Sequence, residues 1–249
     1  MKVFSVAGFH HTGKTTVTVE LIKELKKRGY SISSIKDIHN ENFTMEKKGS
    51  NSWKHAQASE NTVIARGISE TYQIWNKQLT LNEMLSHLDS DFVIVEGMKE
   101  VALPRIICAI DEEQIKQLVD GTVFAISGIY ANDHDKYNNL KVFHSTDQIK
   151  ELTDLVIQKV FPVLPLPNLE CCGECGMNCR EMVSGILAGR NSREDCKTDR
   201  NLDIQIEVGG KDINIVPYVQ KTLKDIIIAY VKNLKGYQEG DSIDIKIRD

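Results

Sequence analysis

Two stretches of this chain carry residue types at spacings that do chemistry. Residues 8–16, GFHHTGKTT, fit the phosphate-loop (Walker A) pattern GxxxxGK[ST] and fall between a strand-like run and a helical one. Gly8 and Gly13 let the backbone curl so that consecutive amides aim at phosphate oxygens, including those of His10, His11 and Thr12, and the following helix adds its positive dipole end. Lys14 would reach the β and γ phosphates, the Thr15 hydroxyl would hold Mg²⁺, and Thr16 continues the motif. The second stretch, ECCGECGMNCREMVSGILAGRNSREDCK, packs five of the six cysteines between Glu170 and Lys197.

A nucleotide site also needs an acid on the metal side. Asp91 opens the strand-like DFVIVEG and Glu96 closes it; only the closing end lies beside the phosphate loop in such sheets, so Glu96 is the candidate. Asp37 and His39, in IKDIHN after the second strand, could face the γ phosphate; the alternative is a solvated loop. No general base adjoins Lys14 in sequence, which favours slow hydrolysis. Base contacts are expected from Ser127 and Gly128, at the end of GTVFAIS.

Cys172, Cys175 and Cys179 form CxxCxxxC, and Cys196 follows after a helical stretch over EMVSGILAG. Three close thiolates wrap one face of a cubane and a distant one closes it, so this grouping fits a [4Fe-4S] cluster. Zinc, the alternative, more often takes cysteines in two pairs. Cys171 is the surplus neighbour, and Cys108, inside the apolar run IICAI, reads as a small core residue.

The elements that position these groups follow from periodicity. KVFSVAG is the first strand, and the helix after it puts Val17, Leu21, Ile22 and Leu25 on one stripe. YSISSIK, NTVIARG, DFVIVEG, RIICAI, GTVFAIS and LKVFH are further strand candidates, with helices near 80–88 and 146–160. Several of these runs are apolar nearly throughout, as strands covered on both faces must be, so the fold class is α/β with a mostly parallel sheet. The prolines of FPVLPLPN mark an extended linker, giving an expected division into a nucleotide domain, 1–160, a linker, 161–168, and a small α+β module, 169–249. In that module LDIQIEV, Gly209–Gly210 and DINIV read as a hairpin, PYVQKTLKDIIIAYVKNLKGY as a helix and SIDIKIR as a last strand.

Composition narrows the partners. A formal charge of −4 leaves no basic field for nucleic acid or an anionic membrane surface, and the longest helical apolar run is far short of a span. Arginines near the cysteines alternate with acids and lack aromatic neighbours, the pattern of a solvated surface. With no secretory signal pattern in MKVFSVAG, a cytoplasmic location is expected, where clustered thiols serve metals or redox chemistry rather than disulfides.

The phosphate loop, IKDIHN, KKGSNSWKHAQA and VIVEGMK together resemble the molybdopterin-guanine dinucleotide biosynthesis protein B family of P-loop GTP-binding proteins. The resemblance covers roughly residues 1–160 and implies a β-ribbon extension, a homodimer, GTP as ligand, weak hydrolysis and assistance to a guanylyltransferase-type partner enzyme that attaches GMP to molybdopterin. It carries Gly8, Gly13, Lys14, Thr15 and Thr16 over as phosphate or magnesium residues, and Glu96 with Gly97 as the VEG element. The chain departs from the family at Asp37, Asn51, Ser59 and Glu60, where histidine, aspartate, glycine and alanine are usual. Residues 165–200 also look like the small [4Fe-4S] domain of corrinoid iron-sulfur proteins, which implies oxygen-sensitive, low-potential iron. The expected function is a GTP-binding accessory protein in molybdenum cofactor biosynthesis whose cluster senses, docks or supplies electrons; the alternative is a self-sufficient NTPase that couples hydrolysis to metal or electron delivery.

Overall fold

β1 (Lys2–Gly8) is buried from Val3 to Ala7, which requires cover on both faces and places it at the centre of a sheet. The computed structural model describes residues 1–39, 43–44, 47–165, 175–197, 204, 206–208, 211–213, 217–238, 243 and 245. After β1 come α1 (Lys14–Lys27), β2 (Ile32–Lys36), α2 (Asn51–Ser59), β3 (Val63–Arg66), β4 (Thr71–Ile74), α3 (Leu81–Ser86), β5 (Phe92–Glu96) and β6 (Arg105–Cys108). Then follow α4 (Glu112–Leu118), β7 (Val123–Ser127), β8 (Lys136–Tyr137), β9 (Leu140–Lys141), α5 (Ile149–Lys159), α6 (Cys179–Leu187), β10 (Ile206–Val208), β11 (Lys211–Ile213) and α7 (Pro217–Val231).

Five strands form one parallel sheet in the order β2-β5-β1-β6-β7. Side-chain alternation divides its apolar residues between two layers. Phe4, Val6, Phe92 and Ile94 pack under Val17, Leu21 and Leu25 of α1 and Leu152 and Val156 of α5. Val3, Val93 and Val95 face Leu81 and Leu85 of α3 with Val101, Leu103 and Val163. Each such fully buried side chain contributes on the order of 1.5–3 kcal/mol, so the stripe Val17–Leu21–Leu25 fixes α1, and with it the phosphate loop, against the sheet.

NTVIARG, grouped by pattern with the other strand candidates, lies outside that sheet. Its core, β3, pairs with β4 in a separate antiparallel ribbon; β3 alternates between half-buried and exposed residues, whereas β4 is exposed up to the half-buried Ile74. LKVFH supplies only the two-residue β9, after which Val142 makes one bridge to Ile126. α2, α4, β4 and β8 carried no readable period: the helices are nine and seven residues and largely polar, and the strands four and two.

Residues 161–165, the described part of the expected linker, run along the sheet. Pro162 bridges Lys2, the Val163 amide donates to the Met1 carbonyl at 3.3 Å and Leu164 is buried. α6 continues from the asparagine cap Asn178, whose side chain accepts from the Glu181 amide at 2.9 Å. Its Met182 and Val183 are buried against Ala102 and Leu164. The expected hairpin is β10 with β11, though Gly209 and Gly210 lie outside the described residues, as does most of SIDIKIR. Among the described residues no helix is long and apolar enough to cross a membrane.

Candidate nucleotide site and cysteine cluster

β1 delivers the phosphate loop at its carboxyl end, where Gly8 stands opposite Cys108 of β6. The loop closes on itself through the buried Thr12, whose hydroxyl donates to the Phe9 carbonyl at 3.0 Å, while the Thr12 carbonyl accepts the Ile129 amide at 3.3 Å. Gly13 caps α1, and among the described residues no side-chain cap hydrogen bond reaches the first turn of that helix. Those amides are the donors an anion takes. His10 and His11 are exposed, with rings 6.4 Å apart. The half-buried Lys14 ammonium donates to the Phe9 carbonyl, inside the loop, and Thr16 is exposed one residue beyond Thr15.

Glu96, at the end of β5, is 7% exposed and accepts the Thr15 hydroxyl at 2.9 Å. Two neighbouring oxygens on an octahedral magnesium at 2.0–2.1 Å stand about 2.9 Å apart, a spacing that this hydrogen-bonded pair matches. Lys36, closing β2, lies 3.1 Å from the same carboxylate. Sequence reading passed over Lys36, although it directly precedes Asp37 and its register opposite Glu96 follows once β2 pairs with β5. Asp37 donates its amide to the Glu96 carbonyl at 2.9 Å and pairs with His39 at 2.9 Å. Gly97, with φ of +105°, permits this approach: a methyl there would lie 2.9 Å from the Asp37 β-carbon. Thus the ends of β1, β2 and β5 bring Lys14, Thr15, Lys36, Asp37 and Glu96 to one edge of the sheet.

The edge facing β7 is built differently. Gly128 sits against the Thr12 carbonyl and Cys108, and the Ser127 hydroxyl is committed to the Phe143 carbonyl at 2.7 Å. The Ser127 side chain is therefore held within the fold, and the turn at Ile129–Asn132 follows Gly128. Cys108 lies beneath the loop, fully buried, and burial pushes its thiol up to about 12, so it is chemically quiet.

Cys175, Cys179 and Cys196 converge on one apolar cluster with Ala102, Leu164, Met182 and Val183. The Cys175 thiol donates to the Met177 carbonyl at 3.3 Å, and Cys179 begins α6. Cys172, expected as the fourth ligand, and Cys171 lie outside the described residues. Among the described residues no group of three histidine, cysteine or acidic side chains is gathered as a metal would require. The cysteine donors are soft and share one region, but their thiols are not assembled into a ligating set there.

The sequence profile described as molybdopterin guanine dinucleotide synthesis protein B matches residues 3–128. A Methanocaldococcus jannaschii protein, provisionally named a molybdopterin-guanine dinucleotide biosynthesis adapter protein, is 30% identical over 254 residues, covering 99% of this chain and 97% of its own. The molybdopterin-guanine dinucleotide biosynthesis adapter protein of Haemophilus influenzae is 30% identical over 142 residues, covering 54% of this chain and 78% of its own. The fold superposes on the crystal structure of Bacillus subtilis MobB with a TM-score of 0.55 at 19% identity, covering 66% of this chain and 100% of that one.

Proposed function

From the premise that this chain belongs to the molybdopterin guanine dinucleotide synthesis protein B family, we propose that it binds GTP with Mg²⁺ at residues 8–16 and serves as an adapter in molybdopterin guanine dinucleotide biosynthesis. The observation that carries the nucleotide reading is the Thr15–Glu96 contact, which joins the phosphate loop to the end of β5 at a spacing suited to magnesium. Thr15 and Glu96 would hold the ion, which neutralises phosphate charge when bound. Lys14 and the loop amides would bind and orient the phosphates, and Lys36 would hold Glu96 in place. Asp37 and His39, paired with each other at 2.9 Å, would face the terminal phosphate.

The adapter role is supported by the names of the relatives that match. The test pairs affinity with function. GTP and ATP binding to the purified protein is measured with and without Mg²⁺, and guanylyltransferase output is measured with and without the protein. Tighter GTP binding with a rise in partner output is expected, whereas fast GTP turnover without any partner would favour a self-sufficient NTPase. Glu96→Gln removes the charge but keeps the shape, so the advantage that Mg²⁺ confers on GTP binding should fall by about tenfold or more. An unchanged Mg²⁺ dependence would remove Glu96 from the site.

For the cysteine segment the reading is a [4Fe-4S] cluster on Cys172, Cys175, Cys179 and Cys196, supported by their three-plus-one spacing and by the packing of Cys175, Cys179 and Cys196 against one apolar cluster. Such a cluster, when bound, supplies one-electron chemistry. Protein purified without oxygen should contain iron and acid-labile sulfide in equal amounts, and Cys179→Ala should lose both. One zinc without sulfide would overturn the assignment.

A further inference from the structure

Residues 97–104 connect the magnesium-side carboxylate to Arg105 at the start of β6. The segment begins at two consecutive residues in the left-handed region, Gly97 at φ +105° and Met98 at +43°. A methionine there is strained, and residues so held cluster at ligand clamps and switch regions, which marks the pair as the candidate hinge. Next to them Lys99 stands over the Phe9 ring of the phosphate loop, 5.9 Å from its centroid. The rest of the segment is held from the other side, by the cysteine helix.

Arg180, the residue after Cys179, donates to the Glu100 carbonyl at 2.9 Å and to the Asp120 carboxylate at 2.7 Å. Arg105, 2% exposed, donates to the Lys99 and Val101 carbonyls at 2.6 and 3.3 Å and lies 3.9 Å from the same Asp120 oxygen. Ala102 is buried with Cys179, Met182 and Val183 in one cluster. The Ser184 side chain presses on Gly121, where a methyl would overlap it. One short segment thus touches the phosphate loop through Lys99 and is fastened to α6 through Glu100 and Ala102.

We propose that residues 97–104 couple nucleotide occupancy at the phosphate loop to the docking of α6, so that bound nucleotide tightens the Cys175, Cys179 and Cys196 cluster. The inference rests on the nucleotide reading above. A triphosphate attracts Lys99 and fixes Glu96 beyond the hinge, which holds carbonyls 99–101 steady for the two arginines. Linkage makes the effect reciprocal: whatever locks or loosens the cysteine cluster alters nucleotide affinity by the same factor.

Amide hydrogen exchange read by mass spectrometry on the full chain, as purified without oxygen, tests this with and without GTP and Mg²⁺. Exchange should slow at residues 8–16 and also across α6, there by about fivefold or more. In Arg180→Ala, slowing at residues 8–16 persists and slowing across α6 disappears; the Arg180 side chain is 37% exposed and lies outside the apolar cluster, so the variant should fold. Should it not, Arg180→Gln keeps the aliphatic stem and tests the same bonds. Slowing at residues 8–16 with α6 unchanged, or α6 protection that survives loss of Arg180, overturns the coupling alone. No slowing at residues 8–16 overturns the nucleotide reading and the coupling with it.

Discussion

Lys14→Ala should weaken GTP binding by roughly tenfold to a hundredfold while the protein stays folded. The Lys14 ammonium lies half-buried in the loop and is held by the Phe9 carbonyl, a neutral acceptor that a phosphate oxygen outcompetes. A hydrogen bond to a charged partner is worth about 1.5–3 kcal/mol net, so its loss should weaken binding by roughly tenfold to a hundredfold. The remaining sheet contacts do not involve this side chain, and thermal unfolding should move little. Lys14→Arg should not restore affinity, because a planar guanidinium cannot occupy the space of a compact ammonium inside a closed loop. Titration calorimetry with GTP and Mg²⁺ decides it; an affinity close to that of the unaltered protein would remove Lys14, and the loop chemistry with it, from the nucleotide site.

Gly128→Ala should do more damage than any other single methyl near the site. Gly128 has φ 86° and ψ −153°, a combination that is essentially closed to residues with a β-carbon. The added carbon would also overlap the Thr12 carbonyl, with the Cys108 β-carbon at 3.0 Å and the Ala109 amide nitrogen at 3.3 Å behind it. Neighbours made of backbone cannot turn away, so strain and overlap together cost about 3 kcal/mol or more. For a chain of this size that corresponds to a fall in Tm of about 10 °C. Because Thr12 closes the phosphate loop, GTP affinity should fall as well. Gly29→Ala is the control: Gly29 has φ +90° but open space around it, so the variant should lose about 1–2 kcal/mol and keep its affinity. Equal losses in both variants would mean that the contact between Gly128 and the loop does not shape the site.

Much of this site was legible because short-range chemistry wrote it. The phosphate loop needs glycine, lysine and threonine at set intervals between a strand and a helix, and each falls in that order at residues 8–16. Glu96 was legible for a related reason, since parallel strands put their carboxyl ends on one edge, and Asp91 at the opposite end of β5 bonds instead to Ser31. Lys36 was not, because its nearness to Glu96 depends on the register between β2 and β5, which no local pattern encodes. Nor was the role of Ser127, whose hydroxyl is taken by a carbonyl sixteen residues later.

The sequence by itself determined the α/β class, the phosphate-loop pattern and the three-plus-one spacing of the cysteines, all properties of neighbours along the chain. Only the tertiary structure decided that residues 161–165 bind along β1, that β3 leaves the sheet for a ribbon, and that Arg105 and Arg180 meet at Asp120. The physical reason is that burial and pairing between distant segments depend on which surfaces are left to cover after the local elements form. That choice is made by packing energy summed over the whole chain rather than by any stretch of it.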